Sequence, residues 1–134
     1  MENDTKNIYD ILEDASEDKF TGVKLIRISC SESVSLFAAE LASEAVLKAH
    51  YHLKGDETYF VIEGSCSIKL SRIDDTSSNT DRIINLVKGD IITVKEKMIH
   101  SLRNSKCLSR IIIACPEEHA GSDRFFMEDF DEKM

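Results

Sequence analysis

Short runs rich in Val, Ile, Phe, Leu and Thr follow one another along most of this chain, separated by turns rich in Gly, Asp, Ser and Lys. The runs predict nine strands, at residues 23–29, 34–41, 45–53, 57–63, 66–73, 82–87, 91–94, 99–104 and 107–115. No helical pattern of about 10 to 15 residues lies between them, as a parallel βαβ sheet would require. The pattern therefore predicts an all-β fold, an antiparallel sandwich or barrel.

Three segments outside these strands have patterns of their own. A short helix is predicted at residues 7–13, and a second at 123–126, where Phe125 and Phe126, together with Phe130, would pack on the barrel. The polar stretch 74–81 joins two strands and has little to bury, so we expect a mobile hairpin loop there.

The composition indicates one globular domain. A length of 134 residues suits a single domain, and fractions of 42% hydrophobic and 31% charged residues are close to globular averages. A net charge of -8 argues against a nucleic-acid partner and against docking on an anionic membrane.

Acidic residues are concentrated at both ends of the chain. Residues 1–20 hold seven acidic and two basic side chains, and residues 117–134 hold the same numbers. We expect an acidic arm with a short helix at 1–20, a barrel at 21–116 and an acidic segment packed on the barrel at 117–134. The acidic ends are interpreted as solvated arms that aid solubility, with docking of a partner as the alternative.

The expected compartment is the cytoplasm. The first residues are polar and acidic, unlike a leader peptide, and the sequence has no apolar stretch of about 18 residues that could span a membrane. In the cytoplasm the four cysteines, Cys30, Cys66, Cys107 and Cys115, are expected to be reduced thiols, and none of them forms a CxxC pair.

Histidines cluster around one predicted turn. On a strand, residues two apart point to the same face, so His50 and His52 project together and Tyr51 faces away. A turn through Gly55 brings Glu57 back on the neighbouring strand, close enough to offer a carboxylate oxygen to the same ion. His100, on a later strand, completes a candidate metal site.

This spacing resembles the two sequence motifs of the cupin superfamily. His50, His52, Glu57 and Gly64 match H-x-H-x4-E-x6-G, and Gly89, His100 and Asn104 match the second motif. The resemblance implies a small single-domain cupin, an antiparallel β-barrel of jelly-roll type. Where the family has Gly, Pro and Gly at turn positions, this chain has Glu44, Lys95 and Lys97.

The resemblance also implies a metal bound by His50, His52, Glu57 and His100. Three imidazole nitrogens and one carboxylate oxygen suit a divalent transition metal ion, Fe, Mn, Zn, Ni, Co or Cu, better than calcium. With four protein ligands, an octahedral ion keeps two positions for water or substrate, which permits Lewis-acid or oxygen chemistry. The alternative is that the histidines satisfy hydrogen bonds in a barrel that holds no ion.

Other side chains are weaker candidates. If Glu57 faces the interior, alternation sends Tyr59 and Val61 inward, and the Tyr59 hydroxyl would orient a substrate or act as an acid, unless it is only a core residue. Asn104 is expected to tie a turn, and His119 to be an exposed loop residue. Apolar positions expected to line a pocket or pack in the core are Cys66, Ile68, Leu70, Met98 and Leu102; Arg103 and Arg110 either meet an anionic substrate or lie on the outer face.

The resemblance implies several possible classes of reaction. Cupins with this ligand set include dioxygenases, sugar isomerases or epimerases, and decarboxylases, so we expect a metalloenzyme that acts on a small molecule. The alternatives are a non-catalytic small-molecule binding module and a structural cupin without an ion. A homodimer is expected because small barrels often cover unpaired sheet edges with a second copy.

Overall fold

A computed structural model describes residues 5–17, 23–74 and 81–127 of the chain. One short helix, α1, spans Ile8–Glu13. The strands are β1 Lys24–Cys30, β2 Ser35–Leu41, β3 Val46–Tyr51, β4 Glu57–Glu63, β5 Ser65–Arg72, β6 Arg82–Val87, β7 Ile91–Val94, β8 Met98–Asn104, β9 Ser109–Cys115 and β10 Phe125–Phe126. A 3₁₀ helix at Glu117–Ala120 follows β9.

The strands form two antiparallel five-stranded sheets. One sheet has the order β1-β2-β9-β4-β7, and the other has the order β10-β3-β8-β5-β6. Most neighbours in the sheets are distant in the sequence, as in a jelly roll, where the chain crosses repeatedly between two facing sheets. The predicted all-β, antiparallel jelly-roll fold is confirmed.

The core lies between the two sheets and follows the alternation predicted from the sequence. Tyr59 and Val61 of β4 are buried, and so are Ile68 of β5, Leu102 of β8 and Ile111 of β9. Cys66 and Leu70 are buried beside Ile68, and Met98 packs against the core at its edge. Because one face of each strand is apolar, burial of that face fixes the register of the strands.

The chain ends differ in how well the sequence predicted them. Helix α1 begins after Asn7, whose side-chain oxygen accepts hydrogen bonds from the backbone N–H groups of Tyr9 and Asp10. The helix predicted at 123–126 is wrong: Phe125 and Phe126 form β10, paired with Tyr51 and His50 of β3. Stacking of Phe125 on Tyr51 and this backbone pairing stabilise an extended conformation over a single turn of helix. Phe130 and positions 75–80 of the predicted loop lie outside the described residues.

Two turns use left-handed backbone at residues other than glycine, one at each end of β3. Glu44 has a φ of 60° and Lys97 a φ of 66°, and these are two of the turn positions where the family motifs have Gly. The Lys97 N–H donates a hydrogen bond to the carbonyl of His52 at 2.7 Å. The turn at Lys97 therefore keeps the left-handed geometry that glycine would favour, and its hydrogen bond ties the start of β8 to the end of β3.

Across the described residues, no helix is both long enough and apolar enough to cross a membrane.

Candidate metal centre

Three of the four predicted ligands converge at one end of the barrel. His50 on β3 and His100 on β8 are direct partners across the two strands, and His52 follows β3 on the same face. Their ring centroids are 4.3 Å apart for His50 and His100, and 5.0 Å for His50 and His52. One nitrogen from each of the three rings lies within 4.8 Å of the others, and all three residues are buried.

Backbone carbonyls fix the orientation of all three rings. His50 Nδ1 lies 2.7 Å from the carbonyl of Lys48, and His100 Nδ1 lies 3.0 Å from that of Met98. His52 Nδ1 likewise contacts the carbonyl of Asp123. A carbonyl only accepts, so each ring donates from Nδ1 and keeps its Nε2 lone pair for another partner. A backbone carbonyl on the second ring nitrogen is the usual arrangement of a histidine that binds metal through the first.

Burial keeps the imidazoles in the form that binds metal. Removal from water lowers the pKa of His50 well below its ordinary value, and the nearby His100 lowers it further. Burial also lowers the pKa of His100. Both rings are therefore neutral near pH 7, which leaves a lone pair available on each.

Buried polar atoms without partners mark the same place. Among the described residues, four buried side-chain atoms make no aligned hydrogen bond: His52 Nε2, His100 Nε2, the Tyr59 hydroxyl and Ser101 Oγ, next to His100 in the chain. A buried polar atom without a partner costs about 1–3 kcal/mol. A divalent ion bound by the imidazole nitrogens would remove this cost for the two histidines, so the donor set fits a transition metal ion.

Glu57, the fourth predicted ligand, begins β4 and is turned toward a different neighbour. Its Oε2 lies 2.8 Å from His52 Nε2 and 3.0 Å from His119 Nδ1. The donor atoms of Glu57, His52 and His119 lie within 4.8 Å of one another, and so do those of His50, His52 and His100. His52 belongs to both groups, so the four predicted ligands meet through His52.

The contacts of Glu57 keep it ionised. Burial alone would raise the pKa of Glu57, but the hydrogen bond from His119 and the nearby His52 nitrogen outweigh burial and hold the pKa well below its ordinary value. The carboxylate therefore carries its charge near pH 7 inside the barrel, where a compensating positive charge is needed.

His119 is the residue that the sequence misplaced. It was predicted as an exposed loop residue, but it is 3% exposed and its ring stacks on that of His52, with centroids 3.8 Å apart and planes 3° apart. The 3₁₀ helix after β9 turns the chain back over the end of the barrel, which carries His119 inward. Its only signal in the sequence is that it is an imidazole in a segment otherwise dominated by acids.

His119 is held through both ring nitrogens. Nε2 lies 2.7 Å from the carbonyl of Lys54, and Nδ1 faces the Glu57 carboxylate. Burial opposes protonation of His119, but the hydrogen bonds to Glu57 and Lys54 outweigh it and raise the pKa of the ring. His119 is thus a donor at both nitrogens and a counter-charge for Glu57.

A small cavity of ≈ 40 Å³ adjoins the histidines and Glu57, room for roughly three water molecules. Leu25, Phe37, Leu47 and Ile113 provide much of its apolar wall. Tyr59, the predicted catalytic candidate, also lines it, and its ring centroid is 6.0 Å from that of His100. Burial and the charge of Glu57 raise the pKa of Tyr59 well above its ordinary value, so its hydroxyl keeps its proton.

Asn104 and Arg110 have structural partners away from the cavity. The Asn104 amide nitrogen points at the carbonyls of Leu41, Ala42 and Cys107, all within 2.9 Å, which confirms that it ties a turn. Arg110 forms ion pairs with Glu40 and Glu63 of the neighbouring strands. This pairing favours the interpretation of Arg110 as an outer-face residue.

Comparisons with known proteins agree with the fold. The family described as Cupin matches residues 12–126. KdgF from Halomonas sp. is 16% identical with a TM-score of 0.61, over 73% of this chain and 82% of that one. CENP-C from Drosophila melanogaster, solved bound to CAL1, is 12% identical with a TM-score of 0.63, over 75% of this chain and 79% of that one.

An oxalate oxidase is also similar in structure. It is 15% identical with a TM-score of 0.66 over 84% of this chain, and this chain spans 58% of that one, little more than half its length. Comparison with curated protein sequences finds no match. At these identities the solved structures share the fold with this chain, and the chemistry must be argued from its own residues.

Proposed function

This chain belongs to the cupin family, and we propose that it binds a divalent transition metal ion and uses it to act on a small molecule. One observation carries the proposal: three buried imidazoles each donate from Nδ1 to a backbone carbonyl, and one nitrogen of each ring lies within 4.8 Å of the others. In that region, His52 Nε2 and His100 Nε2 have no hydrogen-bond partner among the described residues.

His50, His52 and His100 would hold the ion, with Glu57 as the carboxylate ligand. His52 Nε2 and Glu57 Oε2 lie 2.8 Å apart, and a positive ion bound by both atoms would hold them together in place of a proton. The ion would be Fe, Mn, Zn, Ni, Co or Cu, since nitrogen donors with one carboxylate suit this series. When bound, such an ion polarises a substrate oxygen or activates dioxygen.

The chain's own residues limit what enters the site. A cavity of ≈ 40 Å³ with a largely apolar wall admits only a small molecule or one end of a larger one. Tyr59 lines this cavity and its buried hydroxyl lies beside the Glu57 carboxylate, so it is the group we propose to orient the substrate or to supply a proton.

Two reaction classes fit these features: dioxygenase-type chemistry and isomerase- or epimerase-type chemistry on a sugar. The structural likeness to an oxalate oxidase supports oxygen chemistry as a class. The presence of Tyr59 in the cavity lining supports proton transfer, which isomerases and epimerases require.

Metal content provides the test. Protein purified without a tag is analysed by inductively coupled plasma mass spectrometry, before and after incubation with Co²⁺, Fe²⁺ or Zn²⁺ alone. We expect near-stoichiometric ion in the parent and its loss when His50 and His52 are both changed to Ala. Lys48→Ala is a matched control, because its side chain lies exposed on the same strand and should leave the ion in place. A parent protein that neither carries nor takes up an ion would contradict the proposal.

The alternative is a cupin that binds without turnover. The similar structure of CENP-C was solved bound to the protein CAL1, so the fold also occurs in a protein complex. Oxygen consumption, or conversion of a ligand that binds the metal-loaded protein, would favour the enzyme. Saturable binding without conversion would favour the binding module.

We also propose a homodimer. Val87 at the end of β6 and Ile91 at the start of β7 are 55% and 65% exposed, and both strands lie at the edge of a sheet. A second copy would cover these side chains and pair an open edge. Light scattering that gives the mass of a single chain at micromolar concentration would refute the dimer.

A further inference from the structure

Glu57 is the only one of the four proposed ligands that no backbone carbonyl orients. Its Oε2 is shared between His52 Nε2 at 2.8 Å and His119 Nδ1 at 3.0 Å. The side chain is buried, so water does not readily substitute for these contacts. The contacts that hold the Glu57 carboxylate therefore determine where it lies relative to the proposed ion.

His119 is close enough to be considered a ligand itself, but its ring orientation argues against this. A metal ion binds an imidazole along the nitrogen lone pair, which lies in the plane of the ring. The rings of His52 and His119 are parallel within 3° and stacked at 3.8 Å, so one ion cannot lie in both planes. Since His52 groups with His50 and His100, the ion belongs to that side, and His119 acts on Glu57 from the other.

His119 is itself held at a fixed distance from the barrel. Its Nε2 donates to the carbonyl of Lys54, in the turn that leads into β4. The Asp123 carboxylate accepts hydrogen bonds from the backbone N–H groups of Leu53 and Lys54 at 2.7 and 3.1 Å. The turn before Glu57 and the segment that carries His119 are thus bound to each other at two places.

Gly55 allows this close approach. A Cβ at Gly55 would lie 2.7 Å from Pro116 Cγ and 3.7 Å from His119 Nε2. The backbone of the turn can therefore lie against the start of the 3₁₀ helix only because position 55 has no side chain.

We propose that His119 is a positioning residue for the metal centre: its Nδ1–H donates to Glu57 Oε2 and holds the carboxylate beside His52 Nε2. The 2.8 Å between these two atoms is close to the about 3 Å expected between neighbouring ligands at metal–ligand distances of about 2.1 Å. A group that hydrogen-bonds a ligand in this way typically changes metal affinity by about 10- to 100-fold. The inference rests on the proposed function, since it requires that the site bind an ion.

Two substitutions separate the two hydrogen bonds of His119. In His119→Asn, the amide nitrogen lies near the position of Nδ1 and can still donate to Glu57. In His119→Gln, it lies near the position of Nε2 and can still donate to Lys54, but not to Glu57. His119→Ala removes both donors. The comparison measures the dissociation constant of Co²⁺ alone, by competition with a chelator, and the thermal unfolding of each metal-free protein.

We expect His119→Ala and His119→Gln to bind Co²⁺ about 10- to 100-fold more weakly than the parent, and His119→Asn to recover most of the affinity. If His119→Ala does not fold, the difference in Co²⁺ affinity between His119→Asn and His119→Gln tests the positioning role. Glu117→Ala is the matched control: Glu117 lies in the same 3₁₀ helix and accepts a hydrogen bond from Ser35, so its loss loosens the helix without touching Glu57.

The outcomes distinguish this inference from the proposed function. If the parent binds no Co²⁺, the proposed function fails. If the parent binds Co²⁺ and His119→Gln binds it equally well, or Glu117→Ala weakens binding as much as His119→Ala does, the positioning role is refuted. Equal affinity of the Asn and Gln variants, both below the parent, would also refute it, because a purely structural role does not depend on which nitrogen is replaced.

Discussion

Replacing Lys97 by glycine should stabilise this protein. Lys97 is exposed and lies in the turn before β8 with a φ of 66°. In this left-handed backbone conformation an L-residue is strained by about 1–2 kcal/mol, because its Cβ approaches the following carbonyl oxygen. Glycine has no Cβ, so Lys97→Gly removes this strain while the N–H that binds the His52 carbonyl is kept.

The gain is partly offset in the unfolded state. Glycine has more conformational freedom there than lysine, which lowers stability by about 0.4–1 kcal/mol. The expected net effect is an increase of about 0.5–1 kcal/mol in the free energy of unfolding. For a chain of this size that corresponds to a rise of roughly 2–4 °C in the melting temperature.

The measurement is equilibrium unfolding in urea of the metal-free parent and its variants. Lys97→Ala is the control for loss of the lysine side chain: it keeps a Cβ, so it should stay within about 0.5 kcal/mol of the parent, as for most surface substitutions. Glu44→Gly, at the other left-handed position, should add a similar gain independently. A Lys97→Gly protein no more stable than Lys97→Ala would refute the assignment of strain to this turn.

Three further predictions follow from close packing and from buried polar groups. Gly64→Ala should destabilise the protein by at least about 2 kcal/mol in urea unfolding, because a Cβ there would collide with Ser109 Oγ and with the backbone of Leu108 at a φ of +83°; unchanged stability would contradict the close packing. Tyr59→Phe should leave metal-free stability within about 1 kcal/mol of the parent, because the buried hydroxyl lies beside Glu57 but makes no well-aligned hydrogen bond among the described residues; a larger loss would reveal a strong bond to Glu57. Metal-free stability should fall between about pH 6 and 5, because the lowered pKa values of His50 and His100 mean that the unfolded chain takes up protons near its ordinary pKa of about 6.5 while the folded protein does not. The raised pKa of His119 acts in the opposite direction above this window; a stability that rises between about pH 6 and 5 would refute this.

The sequence predicted the parts of the fold that depend on local alternation. Inward positions such as Val61 and Ile68 follow a period of two, which the buried faces of β4 and β5 confirm. The same period places His50 and His52 on one face. The approach of His100 to His50 depends on pairing between strands that are distant in the sequence. The spacing of the family motifs predicts this approach, whereas the local alternation does not.

The remaining features depend on tertiary contacts that leave little trace in the sequence. The two-residue strand β10 exists because it pairs with β3, whereas its own sequence is too short to specify a conformation. His119 is buried because the 3₁₀ helix turns the chain inward after β9. Lys97 occupies a left-handed turn that its residue type disfavours, so only the surrounding structure specifies the turn.

The most direct test of the account is to locate an ion in crystals of the protein grown with Co²⁺. Anomalous diffraction at the cobalt edge should give one strong peak per chain, about 2.1 Å from the Nε2 atoms of His50, His52 and His100. Crystals of the variant with both His50 and His52 changed to Ala should lack this peak. A peak elsewhere on the chain, or no peak at full Co²⁺ saturation, would contradict the claim that these three histidines form a metal centre.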